Sequence, residues 1–186
     1  MFKKIVKNKS GFSVIEAVVA TYMVSLALVG VLTLVAQNLK VKQINTNMMV
    51  ASMLAQEGIE LVRNIRDTNW LKGVNWKNCD DLGSGCDIVQ SGDGTYAIHY
   101  LSPGGGDYPE IFPAVDSITD AGARLNVSNT DFYQYQNGDP SIFSRLVEVQ
   151  DSAGGEYIDV TCTVRWLAGG GQPYGYVAQT RLYNWR

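Results

Sequence analysis

The chain has 186 residues, enough for one ordinary domain, with a formal net charge of −3. That figure hides a segregation: residues 1–11 hold four lysines and no acid, while residues 68–186 carry 14 Asp/Glu against 7 Lys/Arg, a net of −7. So acidic a bulk excludes phosphate-backbone binding as the main task, because nucleic-acid affinity rests on clustered Lys/Arg.

The first element after the basic tip is apolar. Ala17 to Leu39 is a run of 23 residues without a charge. At ~1.5 Å per residue such a helix is about 34 Å long, enough for a hydrocarbon core of roughly 30 Å. Lys3, Lys4, Lys7 and Lys9 precede it, so the positive-inside rule keeps residues 1–11 in the cytoplasm and sends the rest outside. A secretory signal peptide or a plain anchor fits these facts equally. Two details count against a secretory signal: the small residues Ser10-Gly11 come before the apolar run, and Glu16 sits inside its start. A carboxylate at bilayer depth costs ~2.5–3.5 kcal/mol, so an acid there has a partner or a task unless it lies shallow and reaches water.

The string Lys9-Ser10-Gly11-Phe12-Ser13-Val14-Ile15-Glu16, followed by apolar residues, closely resembles the type IV prepilin signature. The resemblance implies a membrane-embedded peptidase that cuts between Gly11 and Phe12 and methylates the new N-terminus at Phe12. It implies a role for Glu16 in assembly, where its carboxylate neutralises the Phe12 ammonium of a neighbouring subunit inside an apolar bundle. The implied partners are the prepilin peptidase, other pilin subunits and the pilus assembly platform in the membrane.

No proline occurs before Pro103, and Gly30 and Gly58 are the only glycines between Phe12 and Asp67. A continuous helix over 12–67 is predicted, about 84 Å long. Residues 12–39 form its transmembrane or filament-core part and 40–67 its amphipathic half. There Ile44, Met48, Ala51, Ala55, Ile59, Val62 and Ile65 recur at steps of three or four as one apolar stripe. Asn45, Ser52, Gln56, Glu60, Arg63 and Asp67 take the other side. Glu60–Arg63 and Arg63–Asp67 are spaced for pairing, and Arg63 and Arg66 suit the negative pole of the macrodipole. The pair Met48-Met49 reads as packing. Ala55 to Asp67 is similar to the helix segment of PilV-type minor pilins, and Arg181 to Arg186 to their closing strand. Thr33 stands where many major pilins have proline, which supports the minor assignment.

Residues 68–186 read as an extracytoplasmic β head. Glu156–Leu167 is predicted as a strand with Ile158, Val160, Cys162, Val164 and Trp166 on one face. An apolar-rich run from Ile142 to Val149 precedes it and a strand Tyr174–Trp185 follows, an antiparallel meander with one face on the helix. Thr95–Leu101 is a fourth strand, and residues 102–140, rich in Gly, Pro, Asn and Asp, read mainly as loop. The expected fold is therefore α+β and pilin-like: a long N-terminal helix packed on a C-terminal antiparallel sheet. All four tryptophans and nine of ten tyrosines lie in the head, as adhesive surface or as core and strand aromatics.

Outside the cytoplasm cysteines tend to pair. Cys79 and Cys86 bracket a glycine-containing loop, and this is the pairing with the least topological demand among the three that Cys79, Cys86 and Cys162 allow. Closing it contributes roughly 2.5 kcal/mol by chain entropy. Cys162 falls on the core side of its strand as a buried free thiol.

Catalytic patterns are weak. His99 is the single histidine, which excludes a multi-histidine metal site; a Cys79, Cys86, Cys162 and His99 zinc set has the wrong spacing. No nucleophile elbow accompanies His99 for a triad, and the glycine-rich stretches lack the P-loop lysine and the dinucleotide pattern. Asp80, Asp81, Asp87 and Asp93 offer oxygen ligands for calcium without EF-hand spacing, and Asn126-Val127-Ser128 is a formal glycosylation sequon. No cofactor and no catalysis are expected. The reading is a minor pilin incorporated into, or priming, a type IV pilus. The alternatives are a pseudopilin of a type II secretion or DNA-uptake machine and, more remotely, a membrane-tethered binding domain or enzyme.

Overall fold

A computed structural model describes residues 11–73, 75–77, 94–100, 109–113, 115–152 and 154–185. The chain forms an α+β fold in which one long N-terminal helix, α1 (Val14–Lys72), is followed by a seven-stranded antiparallel sheet. Two compact units divide it, residues 1–45 and residues 46–186.

In the first unit the apolar side chains of α1 are exposed. Its serine and threonine hydroxyls are satisfied locally. Thr21 Oγ1 donates to the Val18 carbonyl at 2.9 Å, Ser25 Oγ to Thr21 at 2.7 Å and Thr33 Oγ1 to Val29 at 2.9 Å. Such back-bonding hides polar groups that would otherwise be costly in lipid. The helix is long and apolar enough to cross a membrane.

In the second unit the helix buries Asn47, Ala51, Leu54, Ala55, Gly58, Leu61, Val62, Ile65, Arg66, Asn69 and Trp70. The predicted stripe is right at Ala51, Ala55, Val62 and Ile65 but rotated at its margins: Met48 and Ile59 are only partly buried, while Leu54, Gly58 and Leu61 face the sheet. Small residues take the centre because the helix must come close. A Cβ at Gly58 would meet Cys162 Sγ at 2.6 Å and Val147 Cγ2 at 3.3 Å. The helix also runs five residues past the expected end at Asp67, since Asn69 and Trp70 gain burial and Asn69 Nδ2 bonds the Trp76 carbonyl at 3.2 Å. Glu60 pairs with Arg63 at 2.6 Å as expected. Asp67 pairs instead with its neighbour Arg66, whose guanidinium is buried over the Trp70 ring at 4.6 Å.

The strands are β1 (Gly94–Tyr100), β2 (Pro109–Pro113), β3 (Arg124–Val127), β4 (Tyr133–Gln134), β5 (Asp139–Asp151), β6 (Tyr157–Leu167) and β7 (Pro173–Tyr183). The three-strand meander β5–β6–β7 and strand β1 match the sequence reading. The loop expected over 102–140 is corrected: β2, a 3-10 turn at Ala121–Ala123, β3, β4 and the start of β5 lie within it. These strands are short, and prolines mark both ends of β2, so their pairing comes from neighbours and not from local pattern.

β5 organises the sheet. One edge carries β6 along nine residue pairs, from Phe143↔Trp166 to Asp151↔Ile158. The opposite edge carries β3 near its start (Arg124↔Ser144, Val127↔Asp139) and β1 near its end (Tyr96↔Val147, Gly94↔Val149). Phe143, Val147 and Val149 with Ile158, Val160, Cys162, Val164 and Trp166 form the inner face against the helix. On the other face Ala97, Val115 and Ala123 make a second, smaller cluster that packs on Leu146.

Candidate functional site

Gly11, Phe12 and Ser13 precede the helix, and the Ser13 carbonyl accepts from Glu16 N at 3.0 Å and Ala17 N at 3.1 Å. Ser13 is thereby the N-cap and Glu16 the third helical residue, an acid in the first turn where the helix dipole favours it. Phe12 is 72 % exposed. A Cβ on Gly11 would meet nothing within 4 Å, so the chain's own packing places no demand for glycine there. Glu16 is exposed, and no side chain among the described residues pairs with it. Three residues singled out by the sequence thus stand together at one helix entrance, each open to an outside partner.

The other expectations distribute differently. Cys162 is a free, fully buried thiol, pushed up to about 12 by burial against the opposing pull of the Arg145 guanidinium. Cys79, Cys86, Asp80, Asp81, Asp87 and Asp93 lie outside the described residues, as do Lys3, Lys4, Lys7 and Lys9. His99 falls in the backbone of β1. Among the described residues no three His, Cys, Asp or Glu side chains come together for a metal. Asn126 of the sequon is half-buried, its Nδ2 donating to the Tyr135 carbonyl at 3.2 Å. Of the tryptophans, Trp70, Trp76 and Trp166 are core residues, while Trp185 is 71 % exposed with its ring edge-on to Trp70 at 4.5 Å.

The head's strongest polar feature was not singled out by sequence reasoning. Arg145, on the inner face of β5, is 0 % exposed. Its Nη1 donates to the Leu54 carbonyl of the helix at 3.1 Å and its Nη2 to the Ile98 carbonyl of β1 at 2.7 Å. Its Nε donates to the Tyr135 hydroxyl at 3.3 Å, and that hydroxyl donates back to the Arg145 carbonyl at 2.8 Å. Glu57 supplies the counter-charge at 3.3 Å. Burial alone opposes the guanidinium charge; Tyr135 and Glu57 outweigh it and hold the group above its ordinary value. Burial likewise pushes the Tyr135 phenol up, with Arg145 opposing. One side chain therefore ties helix, two strands and the segment after β4. The signal was available: alternation from Phe143 through Val147 and Val149 puts Arg145 at an inward position.

On the opposite face of β6 and β7, Asp159 and Arg181 are cross-strand partners joined by two bonds of 2.7 Å. Arg181 lies over the Tyr157 ring at 3.9 Å, and its hydrogen bonds hold the Asp159 carboxyl below the usual range. Lys77 holds both oxygens of Asp151 at 2.6 Å, anchoring the turn after the helix to the end of β5.

No family model, no curated protein and no solved structure matches the chain.

Proposed function

We propose that the chain is a minor type IV pilin, a membrane-inserted precursor that becomes a structural subunit of a filament. The observation that carries this reading is the entrance of α1: Gly11 and Phe12 stand clear of the fold, immediately before an exposed apolar helix with Glu16 in its first turn. A glycine that no internal contact requires suits recognition by an external peptidase, which would cut between Gly11 and Phe12 and methylate Phe12. Removal of the lysine leader leaves one ammonium at Phe12. A carboxylate in the first turn of an adjacent subunit, Glu16, can then neutralise it in an apolar bundle, where a lone charge is costly.

In this reading the precursor crosses the cytoplasmic membrane once, with the leader inside and the head outside. It meets the prepilin peptidase, other pilin subunits and the assembly platform, and it carries no catalysis of its own. The test is intact-mass and N-terminal analysis of the protein from assembled filaments. The expected species lacks residues 1–11 and begins with N-methyl-Phe12. An intact Met1 end in assembled material, or cleavage on the far side of the apolar run, excludes the reading.

A further inference from the structure

The outer face of the sheet carries two arginines in one cross-strand row. Arg124 on β3 is opposite Ser144 on β5, and Ser144 is opposite Arg165 on β6. Directly opposed residues of antiparallel strands share a face. With neighbouring strands ~4.8 Å apart, the two arginine backbones lie roughly 10 Å from each other across the serine. The next position in the row is Gly175 on β7, which leaves the far flank of Arg165 without a side chain.

Both arginines line one cavity of about 390 Å³, whose described lining includes the hydroxyl residues Ser141 and Ser144, the apolar residues Ile142 and Leu167, and no acid. Arg124 Nε donates to the Ser141 carbonyl at 3.0 Å, which fixes its fork. Neither Arg124 nor Arg165 forms an ion pair among the described residues, whereas Arg63, Arg66, Arg145 and Arg181 all do. Two like charges aligned across a sheet repel unless something stands between them. In a region with twice as many acids as bases, leaving this pair without a carboxylate is the unusual choice.

We propose that the Arg124–Ser144–Arg165 row is an oxyanion-binding site. It takes a carboxylate or phosphate group between the two guanidiniums, above the Ser144 hydroxyl, with the body of a small ligand against Ile142 and Leu167. Guanidinium forks match both groups and bind them through charge-assisted hydrogen bonds. The proposal does not depend on the filament reading.

The test titrates the full chain, in uncharged detergent micelles at low chloride, with sodium butyrate and separately with sodium phosphate. Arginine Nε–H resonances are followed at matched ionic strength. Saturable movement of the Arg124 and Arg165 signals is expected with one probe or both, while Arg181, already held by Asp159, stays still. Saturation by butyrate alone identifies a carboxylate ligand and by phosphate alone a phosphate ligand. Arg165→Gln should weaken the affinity about tenfold, and Arg165→Lys, which keeps the charge and the strand, should weaken it less. The site is refuted if neither probe gives a saturable shift, or if Arg124→Gln and Arg165→Gln both leave the affinity unchanged.

Discussion

Arg145 reaches across from the sheet to the backbone of Leu54, its Nη1 donating to a helix carbonyl at 3.1 Å. The helix–sheet junction is thereby made by a fully buried charge as well as by apolar contact. Truncating that charge strands its partners. Arg145→Ala should leave the Leu54 and Ile98 carbonyls and the Tyr135 hydroxyl without their donor and open a cavity, a loss of about 3–5 kcal/mol. Arg145→Met, which fills the space and removes the charge, should cost less. Urea unfolding of the full chain in detergent, followed by tryptophan fluorescence, measures both, and equal losses would refute the distinction.

Gly58 sets how near the helix can come. Alanine is the better helix former by about 1 kcal/mol, but its Cβ would sit 2.6 Å from Cys162 Sγ. Overpacking of this kind costs about 1–3 kcal/mol, so Gly58→Ala should be net destabilising. Adding Cys162→Ala removes the clashing sulfur. The double variant should therefore be more stable than the sum of the two single changes predicts, and simple additivity in a double-mutant cycle would show that the two positions are not coupled.

The Cys162 thiol should resist alkylation in the folded protein and react once the chain is unfolded, because burial raises its proton affinity. The folded value, about 12, lies above that of an unfolded cysteine, so the thiol's contribution is fully present below the unfolded value. It declines as pH rises from there toward the folded value, since only the unfolded state is then losing the proton. Cys162→Ala should flatten the alkaline side of the stability profile. Non-reducing peptide mapping of the same samples tests the pairing expected from sequence, a Cys79–Cys86 bridge with Cys162 reduced. A bridge containing Cys162 excludes it.

Glu16→Val should insert and be cleaved normally yet enter filaments poorly. The change leaves Gly11 and the leader lysines alone, and removing a carboxylate eases insertion. What is lost in the proposed filament is the partner of a neighbouring Phe12 ammonium, and an unpaired buried charge costs about 3–5 kcal/mol. The ratio of variant to wild-type subunit in sheared filaments, at equal membrane abundance, measures this. Equal incorporation would mean that Glu16 serves only its own helix, as an acid in the first turn.

Long-period features were legible in the sequence and short-range pairing was not. The helix could be read because more than fifty residues lack proline, the first half as one uncharged run and the second with a helical spacing, and β6 because Ile158 to Trp166 alternate without a break. β3 and β4, with four and two residues, hold too little pattern to be seen alone; β3 exists because β5 offers it an edge, and β4 because β3 does. Arg145 was hidden for another reason. A charged residue in an apolar run reads as solvent-facing until its register is counted, and its four partners come from three separate parts of the chain. The placement of Gly11, Phe12 and Glu16 at one helix entrance was legible because all three are local in sequence. The Arg124–Arg165 row was not, since only the register of three strands brings those residues into line.

The way β1 and β3 divide a single edge of β5 bears on how the head can diversify. The chain leaves that edge after Tyr96 pairs with Val147 and returns to it where Arg124 meets Ser144. The stretch between those two anchor points gives Ile98 to the helix-facing core and Ala97, Val115 and Ala123 to the smaller cluster on the other face, so substitutions there are constrained at these positions, while the pairing of β5, β6 and β7 with one another does not run through it.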